Sequence, residues 1–355
     1  MPSTKDILEI ILITYNRSEK LEATFRQIFA EDSPIRDFDI KILNNHSTDN
    51  TARLVERYQE RFPNLTHTVH KRNIGGNANI ARAFEVSSKK YVWILSDDDE
   101  YDWTHWDEIE YGLEHDYDAV LTERKIEFPA DNPTPYILNT MAFLPSTIYK
   151  TEILTTEVMT SISANIMYSF PHLAVACALI NNNKRIYVPE HKVVEQTIFS
   201  GISIKSDSQD LHHRIRNVNL LSGYINSYQM IADKKLRKQC CDVLCLGKPF
   251  CFSMKAFLSS DGYYSYNLCD VFLGLSPSQR LVLLRLLACK TMENLVSFRN
   301  DGDRKVLRIL RWKIPLWRRS GYRRRELQVE LGESCKEAVR LADSSNLSGQ
   351  KEVSS

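Results

Sequence analysis

Three rounds of one pattern occupy the first 90 residues, and a fourth strand-like run follows them. Each round is a short apolar run, a polar loop, and a segment whose apolar residues recur at helical spacing. "ILEIILIT" (7–14) is followed by Ser18 and "SEKLEATFRQIFA". "FDIKIL" leads through "NNHSTDN" into a helix carrying Leu54, Val55 and Tyr58. "LTHTVH" leads through "KRNIGGN" into a helix carrying Ile80, Ala83 and Phe84, and "YVWIL" (91–95) closes the series. Repeated βα units can bury both faces of their strands only in a mostly parallel sheet with helices on either side. Ligands of such sheets collect at the carboxyl ends of the strands.

Those ends are where the polar clusters fall. Thr14, Tyr15, Asn16 and Arg17 follow the first strand, and Asn44, Asn45, His46 and Ser47 the second. Asn73 to Asn79 follow the third, and Asp97, Asp98 and Asp99 the fourth. Three adjacent carboxylates repel one another and push at least one pKa up, so a positive group is expected beside them. Hard carboxylate oxygens suit Mg²⁺ or Mn²⁺, which keep waters and accept a substrate diphosphate as a further ligand.

From 118 to 200 shorter strands are expected in "DAVLTE", "AFLPSTIY", "RIYVPE" and "KVVEQTIF", with a helix from about Asn165 to Ile180. Beyond about 205 the pattern turns helical, as in "LVLLRLLACKTMENLVSF". The expected organisation is an α/β domain over 1–205, a helical domain over 206–342, and a disordered tail over 343–355. A chain of 355 residues, 43% apolar and carrying a net charge of +1, has room for this. "MPSTKDILEI" has acidic residues where a leader would need apolar ones, and no run approaches the roughly 20 apolar residues of a membrane span. A cytoplasmic protein is expected. The eight cysteines lack paired C-x-x-C spacing and read as reduced, buried thiols.

In order and spacing, "LITYNR", "ILNNHSTDNT", "RNIGGNAN" and "YVWILSDDD" resemble the nucleotide-sugar domain of family 2 glycosyltransferases with the GT-A fold. Within that family the chain is most similar to the abequosyltransferase-like branch acting on bacterial surface polysaccharides, and "AFLPSTIYKTEIL" and "FPHLAVACALI" fit its later segments. The resemblance covers about residues 7 to 200. It implies that Thr14, Tyr15 and Asn16 meet the donor nucleotide, and that Asn44 or Asn45 stands where the family usually has a base-reading aspartate. An amide both donates and accepts, so uridine is not implied over cytidine, thymidine or guanosine. Asn73, Gly75 and Asn79 match the glycine-loop motif. Its usual arginine is Ala78 here, leaving Arg72 or Arg82 to supply that charge. Asp97 and Asp99 are the implied Mn²⁺ or Mg²⁺ ligands (the D-x-D motif), with Asp98 turned toward the donor sugar.

Glycosyl transfer builds negative charge on the departing diphosphate and needs a base for the acceptor hydroxyl. The stretch where the family places an aspartate, "ANIMYSFPHLAVACAL", contains no acid. His172 is the candidate base there, with Glu195, His191 and Asp102 as rivals. The expected partners are a nucleoside-diphosphate sugar and a glycan or lipid-linked oligosaccharide acceptor. Residues 299–325 hold eleven Lys/Arg against two Asp, interleaved with Trp312 and Trp317. They read either as an interfacial helix on anionic lipid at the inner face of the cell membrane or as a solvated basic face. No motif supports nucleic-acid binding. A sugar nucleotidyltransferase would want glycine in its first loop, and "ITYNRSEK" has none. A non-catalytic nucleotide- or glycan-binding module is the other rival.

Overall fold

The computed structural model describes residues 3–123, 128–167, 170–195 and 223–246, five single positions between 273 and 284, and strand residues 296–301, 304–309 and 312–318. The chain divides into a unit of residues 1–287 and a unit of residues 288–355.

In the first unit the strand-like runs form β1 (Leu8–Thr14), β2 (Ile40–Asn44), β3 (Leu65–Val69) and β4 (Tyr91–Leu95). A two-residue β5 (Glu100–Tyr101) follows, then β6 (Ala119–Leu121), β7 (Thr147–Lys150), β8 (Ile186–Tyr187) and β9 (Val194–Glu195). Seven of them make one sheet in the order β3-β2-β1-β4-β7-β6-β8, and β5 pairs with β9 in a separate ribbon. All pairings in the large sheet are parallel except those of β7 with β4 and β6. Register puts Thr14 beside Asn44 and Asn44 beside Val69, so β1, β2 and β3 end at one edge.

Alternation along the strands fills two cores. Leu8, Ile10 and Leu12 of β1 and Tyr91, Trp93 and Leu95 of β4 pack under α2 (Ser18–Ile28), α3 (Thr51–Gln59) and α5 (Trp106–Glu114). Ile11, Val92 and Ile94 face the other way, toward α4 (Gly76–Glu85), α6 (Thr134–Thr140), α7 (Thr156–Ala164) and α8 (Leu173–Asn181). Each such side chain, once buried, contributes about 1.5–3 kcal/mol. Gly112 lets α5 lie close on β6, because an added Cβ would stand 2.8 Å from Val120 Cγ2 and 2.9 Å from Tyr187 Cδ1. Gly112→Ala is expected to destabilise by about 1–3 kcal/mol through overpacking, despite alanine's better helix propensity. Urea unfolding checks this, and a stabilised variant would show that the interface yields.

Three sequence expectations are corrected. The helix placed at Asn165–Ile180 begins at Leu173, because Pro171 disfavours helical backbone at the residue before it and Phe170 takes φ 68°. In addition, α7 precedes it. Beyond the domain change expected near 205, Tyr224, Ile225, Tyr228, Ile231, Cys240 and Cys241 pack into a core of the first unit. Within the expected helical region, residues 223–229 and Lys234–Leu246 are helical. The second unit instead holds a three-stranded antiparallel sheet, Val296–Asp301, Arg304–Ile309 and Trp312–Arg318. The interfacial helix expected over 299–325 is therefore strand across its described residues. Pro315 would break a helix interior. The tail over 343–355 lies outside the described residues. No helix among the described residues is long and apolar enough to cross a membrane.

Candidate active site

The three loops after β1, β2 and β3 are held together by asparagine amides. Asn45 N–H donates to the Thr14 carbonyl (2.9 Å), and the Asn16 side-chain oxygen accepts from Thr48 N–H (2.7 Å) while its own N–H donates to Ser47 Oγ (2.9 Å). The Asn44 oxygen accepts from Ser47 N–H at 2.8 Å. Asn45 donates to the Asn73 oxygen and accepts from Ile74 N–H, both at 2.9 Å, and the same Asn73 oxygen takes Gly75 N–H at 2.8 Å. Gly75 has φ 87°, a backbone that only glycine adopts without strain, and it opens α4. Asn79 donates to the Leu43 carbonyl (3.2 Å) and accepts from His70 Nε2 (2.8 Å).

Short polar side chains that bond to nearby backbone build loops of this kind. Asn44, Asn45 and Asn79, expected at the nucleotide, are buried in this arrangement and bonded to neighbouring loops, which they brace. Tyr15, Asn16, Arg72 and Asn73 are exposed at the same edge. Arg82, the alternative to Arg72, pairs with Glu85 on the exposed face of α4.

The three aspartates lie just beyond β4, Asp97 and Asp99 buried and Asp98 half-buried. Asp97 Oδ2 accepts from Thr14 Oγ1 (2.7 Å), and its Oδ1 accepts from Arg17 Nη1 (2.9 Å). The same Nη1 donates to Asp98 Oδ2 (2.7 Å), which Lys20 Nζ also reaches (3.3 Å). Sequence reasoning asked for a positive group here without choosing one, and Arg17, just before α2, and Lys20, on its first turn, provide it. Asp99 is 2% exposed, and neither carboxyl oxygen makes a hydrogen bond of ordinary geometry. Burial, reinforced by Asp98, Asp97 and Glu123 and only partly offset by the nearby Ser96 side chain, pushes its pKa up to about 8. Glu123, buried two residues beyond β6, was missed by sequence reasoning, and an acid at a strand's carboxyl end in "VLTERK" was the available signal. Among the described residues, four carboxyl groups thus gather with the side-chain cations of Arg17 and Lys20. Beneath them the Tyr101 hydroxyl is buried without a partner, and its pKa is raised by burial and by all three aspartates.

The candidate bases lie elsewhere. His172 is buried in the apolar core at the start of α8, its Nε2 donating to the Ala142 carbonyl at 3.1 Å, and burial lowers its pKa to about 4. A histidine that weak and that enclosed is a neutral packing group, so it does not meet the requirements of a base. Asp102 caps the turn at Thr104, Glu195 pairs with Lys192 (2.7 Å), and His191 pairs with Glu108.

Comparison with known proteins agrees with this architecture. Residues 9–175 match the family model described as Glycosyl transferase family 2. Poly(ribitol-phosphate) beta-N-acetylglucosaminyltransferase TarP of Staphylococcus aureus is 28% identical over 127 residues, 34% of this chain and 37% of that protein. Abequosyltransferase RfbV of Salmonella typhimurium is 26% identical over 121 residues, 34% of this chain and 36% of that protein. The matches thus span about a third of each curated relative. The crystal structure of S. aureus TarS superposes with a TM-score of 0.50 at 15% identity, over 87% of this chain and 60% of that one, which shows the shared GT-A fold. The parallel sheet, the loops at its carboxyl edge and the acidic corner all fall inside residues 9–175, the segment that is similar to glycosyl transferase family 2.

Proposed function

We propose that this chain is a cytoplasmic glycosyltransferase that moves a sugar from a nucleoside diphosphate to a glycan hydroxyl, with Mn²⁺ or Mg²⁺ held at the acidic corner. The observation that carries the reading is Asp99, a carboxyl group buried with neither oxygen in a hydrogen bond of ordinary geometry, gathered among the described residues with three other acids and the cations of Arg17 and Lys20. Buried polar groups are normally satisfied, and a carboxylate this exposed to its own kind fits a divalent cation. Asp99 would hold the ion, and Asp97, already fixed by Thr14 and Arg17, would complete the protein's share.

Bound there, the ion would offset the charge that develops on the departing diphosphate. The chain's own contribution is to aim cations at the same place. Asp98 fixes Arg17 and Lys20 beside the corner, where they neutralise phosphate oxygens without reorganising during the reaction. This positioning role replaces the direct sugar contact expected of Asp98. Tyr15, Asn16, Arg72 and Asn73 are the exposed side chains available to the nucleotide. The relatives support the substrate class through their names, one a transferase of N-acetylglucosamine onto poly(ribitol-phosphate), the other of abequose. A lipid-linked surface-polysaccharide precursor is the acceptor we favour.

Thermal unfolding with UDP, dTDP, CDP and GDP, each with and without Mn²⁺, tests the donor site. One nucleotide is expected to stabilise only with metal, by about 2.7 kcal/mol at roughly 100 times its dissociation constant. If none does, the donor assignment fails. If a nucleotide binds but its sugar is neither transferred nor hydrolysed, the chain is a binding module.

A further inference from the structure

Among the described residues, His105, Glu108 and His191 bring one potential ligand atom each to within 4.8 Å of one another. His105 precedes α5, Glu108 lies one turn along that helix on the same side, and His191 comes from the segment between β8 and β9. None of the three belongs to the acidic corner. The Glu108 carboxylate is held from behind, Oε2 accepting Glu190 N–H at 2.6 Å and His191 N–H at 3.1 Å. Its Oε1 is thereby turned to His191 Nδ1, 2.5 Å away. The rings of His105 and His191 lie face to face, centroids 3.6 Å apart and planes 10° from parallel.

We propose that His105, Glu108 and His191 form a second metal site, specific for a borderline transition ion such as Zn²⁺. Two imidazole nitrogens and one carboxylate oxygen are a zinc donor set, with water as fourth ligand. Mg²⁺ and Mn²⁺ favour the all-oxygen corner instead. The carboxylate fixed by two backbone amides supplies the outer support that metal ligands commonly have. On binding, the ion replaces the proton shared by Glu108 and His191, which is released to solvent. The rings turn until their lone pairs converge at about 2.0–2.1 Å from the metal.

Such a link would fasten the segment before β9 to α5. That segment carries Val193, whose carbonyl accepts Asp102 N–H at 2.8 Å, and runs into the β5–β9 ribbon that starts one residue beyond Asp99. Zinc here would brace that ribbon from the far side of the corner. The inference does not depend on the proposed transfer activity.

The full chain, stripped with chelator and free of nucleotide, should take up one Zn²⁺ in competition with a chromogenic chelator and melt at a higher temperature with it. His191→Ala alters an exposed side chain and is expected to weaken zinc at least about tenfold, as is His105→Gln. Asp99→Asn should leave zinc affinity unchanged. No zinc uptake by the folded wild-type chain, or uptake lost in Asp99→Asn and retained in His191→Ala, overturns the proposal.

Discussion

Asp99→Asn is expected to make the nucleotide-free protein more stable at pH 8 while removing about 10²–10³-fold of its transfer rate, the usual loss when one electrostatic contributor at a reacting centre is deleted. The stability half follows from the proton. In the folded chain the Asp99 carboxyl keeps its proton to about pH 8, whereas in the unfolded chain it ionises near 3.9. Between those values the folded state binds more protons. Stability therefore falls as pH rises through this window, and the loss is complete above about 8. Each unit of displacement corresponds to about 1.4 kcal/mol. The neighbouring acids share the burden, so a gain of about 3 kcal/mol for the asparagine variant at pH 8 is the expected scale. At pH 4 the two proteins should be nearly equal. Urea unfolding at pH 4, 6 and 8 checks this, and a difference independent of pH would contradict the account of Asp99.

Arg17→Ala should act in the opposite sense. One guanidinium nitrogen bridges Asp97 and Asp98 at 2.9 and 2.7 Å, and Lys20 also lies 3.3 Å from Asp98. Removing a partner from a buried charge pair costs about 3–5 kcal/mol. The Arg17 side chain is 37% exposed, so about 2–3 kcal/mol is expected at pH 8. The loss should shrink toward pH 5, because the carboxyl groups of the variant take up protons in place of the missing charge. Mn²⁺ should restore part of it. Arg17→Lys should recover less than the full stability, since an ammonium on a shorter reach is poorly suited to spanning two carboxylates. Equal losses at pH 5 and pH 8 would mean that Arg17 stabilises by packing and not by charge.

Short-range pattern made much of the fold legible. β1 to β4 were readable because a strand buried on both faces is an apolar run, and their loops because polar residues cluster where those runs stop. Asp97 to Asp99 stood out for the same reason. What stayed hidden was set by distance along the chain or by burial. Nothing in "ITYNRSEK" shows that Arg17 will meet acids 80 residues away, or that Glu123 will lie behind them. The asparagines announced a polar edge but not their burial, so ligand contacts were expected of side chains that hold loops instead. His172 follows a proline at the head of an apolar helix, and only the packed core shows that it is enclosed. In the second unit, basic and aromatic residues fit a strand as well as a helix, and Pro315 was the local sign that favoured strand.

The central claim is that the corner at Asp97 and Asp99 holds a divalent cation beside a diphosphate. Anomalous diffraction at the manganese edge, from crystals soaked with Mn²⁺ and the nucleoside diphosphate that stabilises the protein, measures this directly. A peak is expected at coordination distance from an Asp99 oxygen, about 2.1–2.3 Å, with phosphate oxygen on its far side. Nucleotide bound along the loop edge with no manganese at Asp99 would contradict it.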